Sequence, residues 1–162
     1  MSSGTSTREA IEQRILKAYQ LMPNARPADL SPTDTIPDVP AWHDYEHKLW
    51  RLGEEVRQLL GKQPNLRKDE SLCSSIFGIV ANRAGMRGRQ SWVSLFGCKP
   101  CSNWALKITG LLPDPDIDGH VISTLNKMKA PRFTEKILPY RDSRTAWVRK
   151  EASRYLDWDA ST

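Results

Sequence analysis

The sequence contains no run of about 18 apolar residues, the length that a membrane-crossing helix needs. Its first residues, Met1 to Thr7, lack the charged and apolar regions of a secretory signal. Cysteine is scarce, with three residues in a chain of 162, which is typical of a reducing compartment. These absences predict a cytoplasmic protein that does not enter a membrane.

Motifs of common catalytic sites are also missing. The sequence shows no Ser/His/Asp order, no glycine-rich phosphate loop and no closely spaced carboxylate pair. His43 and His47 have the spacing of a zinc peptidase, but Asp44 stands where a glutamate would act as the base. We therefore predict a non-enzymatic protein with no catalytic residue and no cofactor.

Cys98 and Cys101 have the spacing of a redox dithiol or of half a zinc knuckle. A redox motif calls for a preceding strand, and a zinc site calls for a second pair of ligands. Neither is found in the sequence, and Cys73 and His120 could complete a site only through tertiary contact. We predict no metal site, and we expect Pro100 and Cys101 to turn the chain into the next helix.

No segment alternates strictly between apolar and polar residues, so no sheet is expected. A first helix is predicted from Thr7 to about Met22, and a second from Pro40 to Gly61. Between them, five prolines in residues 23–40 predict an extended, flexible connector. Residues 1–40 are thus predicted to be a helix with a connector, and 41–158 a single helical domain. Six further short helices are expected at 70–84, 88–98, 101–112, 116–129, 131–141 and 143–156.

A self-similarity at a spacing of 43 residues runs through the second half of the chain. Residues 95–112 align without a gap on residues 138–155, and this alignment superimposes Trp104 on Trp147. Internal repetition at this period is typical of an α-solenoid, in which each unit buries its apolar face against the next. Because the two tryptophans are equivalent, both are predicted to be core wedges between helices.

Residues 70–157 resemble HEAT repeats. The features that carry the resemblance are the turn Asp114-Pro115-Asp116, the helix opening Val148-Arg149 and the small residue Ala152. An armadillo-like register fits three helices per 43 residues equally well. The resemblance implies an all-α, right-handed superhelical repeat domain preceded by two helices and the connector. The predicted core is Leu49, Leu52, Val56, Leu72, Ile76, Ile79, Val80, Val93, Leu95, Trp104, Ile108, Leu112, Val121, Leu125, Ile137, Trp147, Ala152 and Leu156.

Positive charge is concentrated in two blocks of the sequence. Residues 62–107 carry eight basic against two acidic residues, and residues 127–154 carry nine against three. Stacked repeats would bring the two blocks to one face, where they could meet an acidic partner. The predicted interface residues are Arg87, Arg89, Trp92, Arg141, Arg144, Arg149 and Lys150.

Two functions fit these features. The first is a module that binds a partner protein, like the small HEAT-like bacterial accessory and immunity proteins that occupy the surface of a toxin. Because inhibitors complement the charge of their target, a basic nuclease is not the expected target. The second is nucleic-acid binding, with the HEAT-like alkylpurine DNA glycosylases as the catalytic comparison and Asp142 as the candidate carboxylate.

Overall fold

The computed structural model of the protein describes residues 4–30 and 41–162. Within these ranges the chain forms helices and turns and no strand. This confirms the predicted all-α class. The α-helices are α1 (Thr7–Leu21), α2 (Asp44–Lys62), α3 (Glu70–Val80), α4 (Gln90–Ser94), α5 (Ala105–Thr109), α6 (Asp118–Met128), α7 (Thr134–Ile137) and α8 (Ala146–Ala160). Shorter 3-10 turns occur at Pro64–Lys68, Arg83–Arg89, Lys99–Trp104 and Leu138–Asp142.

The helices form two compact units. The first ends at Trp92, and the second runs from Val93 to Thr162. This division falls at a different place from the predicted boundary at residue 40, because α1 packs with α2 and α3 in the first unit. Of the predicted connector, residues 23–30 are non-helical and residues 31–40 lie outside the described part of the chain.

The first helix begins and ends as the sequence predicts. Ser6 caps it, with its hydroxyl accepting from the Glu9 N–H at 3.1 Å while the Glu9 carboxylate accepts from the Ser6 N–H. Residues at helical spacing, including Ile11 and Ile15, bury its inner face. Arg8 pairs with Asp69, which lies before α3, so α1 is fixed at its first turn as well as along its apolar stripe.

The second helix begins at Asp44, four residues after the predicted start at Pro40. The helix starts later than predicted because His43 is its N-cap residue. The Glu46 carboxylate accepts from the His43 N–H at 2.6 Å and fixes His43 in that position. The turn Arg83–Arg89 lies against this first turn of α2. A Cβ on Gly88 would come within 2.7 Å of the Glu46 carbonyl oxygen. The turn can approach α2 this closely because residue 88 has no side chain.

In the second unit, α8 packs against α6, α7 and the 3-10 turn Leu138–Asp142. Its buried residues are Val148, Ala152, Tyr155 and Leu156, at helical spacing. The Tyr155 hydroxyl donates to the Ala130 carbonyl at 2.5 Å and accepts from the Phe133 N–H at 3.1 Å. The loop between α6 and α7 is therefore held to the inner face of α8.

The predicted core is buried with one exception, Trp147, which is 43% exposed. The prediction that both repeat-equivalent tryptophans are core wedges is confirmed for Trp104, at 6% exposed, and is wrong for Trp147. The repeats also differ at Leu95, which is buried, and Leu138, which is exposed. The first tryptophan ends a 3-10 turn before the five-residue α5, whereas the second lies in the first turn of the fifteen-residue α8.

Among the described residues, none of the helices combines the length and the apolar character required to cross a bilayer.

The close approach of Gly88 to α2 yields a stability prediction. Gly88→Ala should lower the free energy of unfolding by about 1–3 kcal/mol, because the added methyl group must displace backbone atoms of α2. Urea unfolding followed by tryptophan fluorescence measures the change. Gly61→Ala is the matched control. A Cβ at residue 61 meets nothing within 4 Å, so alanine there should stabilise α2 by up to about 1 kcal/mol. Equal changes in the free energy of unfolding for the two substitutions would contradict the close packing of Gly88 against α2.

Candidate binding surface

Two of the predicted interface residues, Arg89 and Trp92, lie in the core of the first unit, and both are 0% exposed. Arg89 donates from Nε to the Met86 carbonyl and from Nη1 to the Val80 carbonyl, each at 2.8 Å. Trp92 donates from Nε1 to the Leu49 carbonyl at 2.8 Å. The interface prediction is wrong for these two residues, because their polar atoms satisfy buried backbone carbonyls.

Arg87 also has a structural role. Its Nη2 donates to the Ala41 carbonyl at 2.6 Å, and its guanidinium lies 5.7 Å from the centre of the Trp42 ring. The buried carboxylate of Glu46 accepts from the Arg87 backbone N–H at 3.0 Å, and Arg87 Nε lies 3.6 Å from the same oxygen. Arg87 is therefore half-buried and neutralises a buried acid, so its charge is already used within the fold.

The other four predicted residues, Arg141, Arg144, Arg149 and Lys150, are exposed around the start of α8. The 3-10 turn Leu138–Asp142, which has proline at its second position, carries the first of them. The Ser143 hydroxyl accepts from the Thr145 N–H at 3.2 Å and shapes the loop that follows. Arg149 Nη1 donates to the Ser143 carbonyl at 2.7 Å, so this arginine fastens the loop to the helix.

The exposed tryptophan lies among these bases. Trp147 is in the first turn of α8, three residues before Lys150, and residues three apart on a helix share a face. Arg144 lies in the loop that precedes the helix. We call Arg141, Arg144, Trp147, Arg149 and Lys150 the basic surface. Helical periodicity could have identified Trp147 as a surface residue, because the buried stripe begins at Val148 and places residue 147 at its edge.

The basic surface has little acidic charge of its own. Within residues 4–30 and 41–162, Arg141, Arg144 and Lys150 form no ion pair and no side-chain hydrogen bond. The first turn of α8 contains no acidic residue, and the Thr145 side chain does not cap it. The partial positive charge of the helix N-terminus therefore adds to that of the side chains.

Trp147 is held by close packing against the start of α6. A Cβ on Gly119 would lie 2.6 Å from the Trp147 ring and 2.7 Å from Val148. The His120 ring meets the Trp147 ring edge-on, with centroids 4.9 Å apart. Burial, and then the charge of Lys127, lower the pKa of His120 from 6.5 to about 4. His120 is therefore neutral near pH 7.

An apolar groove of about 390 Å³ lies beside the 3-10 turn that carries Arg141. The Tyr140 hydroxyl donates to the Leu112 carbonyl at 2.5 Å and fixes one wall. Burial, and then the charge of Asp118, raise the pKa of Tyr140. The groove is lined by Thr109, Gly110, Leu112, Pro113, Glu135, Lys136, Pro139 and Tyr140. Asp142, the carboxylate of the glycosylase comparison, is exposed and is not part of this lining.

The histidines and cysteines singled out from the sequence do not assemble into a metal site in the described part of the chain, where no three His, Cys, Asp or Glu side chains come together. His43 Nε2 lies 2.8 Å from the Ala28 carbonyl, and His47 packs on Trp42 with ring centroids 5.2 Å apart. Both histidines of the peptidase-like spacing thus make local contacts in the first unit.

The chain matches no protein-family model, and comparisons with curated proteins and with solved structures find no similar protein.

The half-buried His120 makes the free energy of unfolding depend on pH. Its folded pKa lies below its unfolded pKa of 6.5, so the unfolded chain binds the extra proton between pH 6.5 and about 4. Stability from this group is complete above pH 6.5 and is lost as the pH falls through that window, by at most about 3 kcal/mol. Urea unfolding at several pH values should show a shallower pH dependence for His120→Gln than for the wild type. Since all other titrating groups are common to the two proteins, equal slopes would contradict the prediction.

Proposed function

We propose that the chain is a non-enzymatic module whose second unit binds an acidic partner protein through the basic surface. One observation carries the proposal: Arg141, Arg144 and Lys150 are exposed within six residues of Trp147, which is itself 43% exposed, and no described acidic side chain pairs with them. In the first unit, by contrast, Arg8 and Arg14 pair with Asp69 and Glu55. The positive charge at the basic surface is available to an external acid.

The residue types of the basic surface suit a protein interface. Tryptophan and arginine are enriched among the residues that dominate binding energies. Trp147 offers a large apolar area that is already fixed by Gly119 and His120, so little side-chain freedom is lost when a partner covers it. The bases around it would accelerate encounter with an acidic surface and exclude basic ones.

The partner class that we propose is a toxin or effector with an acidic docking face, which the chain would neutralise by covering that face. This is the role of small HEAT-like bacterial immunity and accessory proteins. A cytoplasmic location belongs to the same proposal. The positive charge supports an acidic target over a basic nuclease.

We further propose that the segments of the second unit form HEAT-like units. Support comes from the 43-residue self-similarity and from the helical segments at 118–128, 134–142 and 146–160, which follow the predicted helices closely. In such an arrangement the basic surface would belong to the loop and first turn of one repeat.

Nucleic-acid binding is the second candidate, and the same cluster of bases favours it. Phosphates could contact Arg141, Arg144 and Lys150, and an exposed tryptophan can stack on a base. The glycosylase version of this function has less support, because Asp142 is exposed and a flipped base needs an enclosing pocket beside the carboxylate.

The proposal predicts that reversing two charges of the basic surface weakens partner capture. Arg144→Glu with Lys150→Glu should weaken binding at least about tenfold, equivalent to about 1.4 kcal/mol. Both side chains are exposed, so thermal unfolding should change little. We omit Arg149 because it fastens the Ser143 loop. The measurement is affinity capture from the host lysate, read by mass spectrometry, followed by titration of the captured protein.

The matched control is Lys17→Glu with Lys68→Glu, which makes the same change in net charge on exposed residues of the first unit. Capture that persists in the control, fails in the Arg144/Lys150 variant and survives nuclease treatment supports the protein-binding function. Loss of the captured material on nuclease treatment, with absorbance at 260 nm in the untreated eluate, would instead favour nucleic acid. Equal capture by both variants would show that the basic surface is not the binding site.

A further inference from the structure

Two cysteines of the second unit lie in contact. The Sγ atoms of Cys98 and Cys101 are 3.1 Å apart. The Cys101 N–H donates to the Cys98 carbonyl at 3.1 Å, which closes the first 3-10 turn of Lys99–Trp104. Such a turn keeps its end Cα atoms within about 7 Å, close to the separation of about 4.4–6.8 Å across a disulfide. A disulfide between Cys98 and Cys101 therefore needs only small side-chain rotations.

The two sulfurs differ in exposure, as a two-step thiol–disulfide exchange requires of the sulfur that reacts first and the sulfur that reacts second. Cys98 is partly exposed, whereas Cys101 is buried, with 2% of its surface accessible. A disulfide from solution can reach the first sulfur, and the second can then attack it from inside the fold.

A structural zinc site would need further ligands beside these sulfurs. Within the described ranges, no third His, Cys, Asp or Glu side chain joins the pair. Cys73 belongs to the first unit, where its thiol donates to the Arg67 carbonyl at 3.3 Å. The donor set therefore fits two-electron dithiol chemistry better than metal binding.

We propose that Cys98 and Cys101 form a thiol–disulfide exchange site that accepts low-molecular-weight disulfides of the glutathione class. The Cys98 thiolate attacks one sulfur of the disulfide, forms a mixed disulfide and expels the first thiolate. The Cys101 thiolate then attacks the Cys98 sulfur, forms the Cys98–Cys101 disulfide and expels the second thiolate. The two protein thiols lose two electrons, the small disulfide gains them, and the two protons pass to the two released thiols.

Oxidation of this site can be followed by the fluorescence of Trp104. A 3-10 helix has three residues per turn, so Trp104 lies on the same side of the turn as Cys101. Trp104 is buried and its ring lies 5.4 Å from that of Phe96. Disulfide formation should therefore change the fluorescence of Trp104, and Trp104→Phe should remove that change.

The test is incubation of the native, reduced chain with oxidised glutathione, followed by acid quenching, alkylation and intact-mass analysis. The wild type should lose two hydrogens and keep no glutathione, and reduced glutathione should reverse the reaction. Cys101→Ser should accumulate one glutathione on Cys98, because no thiol remains to displace it. Cys98→Ser should react much more slowly, since its remaining sulfur at this site is buried.

Cys73→Ser is the matched control and should behave as the wild type, because Cys73 lies outside the pair. Circular dichroism of each variant establishes that it is folded before reaction. A stable glutathione adduct on the wild type, or oxidation that occurs only in denaturant, would overturn the proposal. Oxidation that is unchanged in Cys101→Ser would do the same.

Discussion

The basic surface depends on the close packing of α6 against α8 at Gly119. Because residue 119 has no side chain, the Trp147 ring and Val148 occupy the space where a Cβ would lie. Val148 begins the buried stripe of α8, so this contact fixes the rotation of the helix. The rotation in turn decides which residues of its first turn face solvent. The exposure of Lys150 and the partial exposure of Trp147 thus follow from one absent methyl group on a neighbouring helix.

The same packing sets the charge state of the residue beneath the tryptophan. His120 loses water when the Trp147 ring covers its edge, and desolvation penalises its protonated form. A neutral imidazole can remain in an apolar contact that an imidazolium would disrupt. Structure and charge are coupled here, since the partly exposed Trp147 ring packs on a histidine that must stay uncharged.

Sequence periodicity predicted the all-α class, the longer helices and nearly all of the core, because these depend on local spacing, whereas the helices expected at 88–98 and 101–112 are reduced to five residues each. The clustering of basic residues beside an aromatic residue predicted Arg89 and Trp92 at a surface, because arginines are usually solvated. What buries them is tertiary: the Met86 carbonyl, in a turn where Met86 has a φ of 46°, and the Val80 carbonyl of α3 accept from Arg89, and the Leu49 carbonyl of α2 accepts from Trp92. Likewise, the 43-residue repeat equates Trp104 with Trp147, but burial is decided by neighbouring helices, and only the former is enclosed. The contact between Cys98 and Cys101 also depends on a turn geometry that spacing alone does not specify.

The arginines of this chain divide according to what receives their hydrogen bonds. Arg89 is buried where backbone carbonyls accept from it, and Arg87 is held by the Glu46 carboxylate and the Ala41 carbonyl. Arg141 and Arg144 have no such acceptors among the described residues and remain in water. Removing a hydrated guanidinium from water is favourable only if a new acceptor replaces the water. A partner that covers the basic surface must therefore bring carboxylates or phosphates of its own, which makes charge the first criterion of its selection.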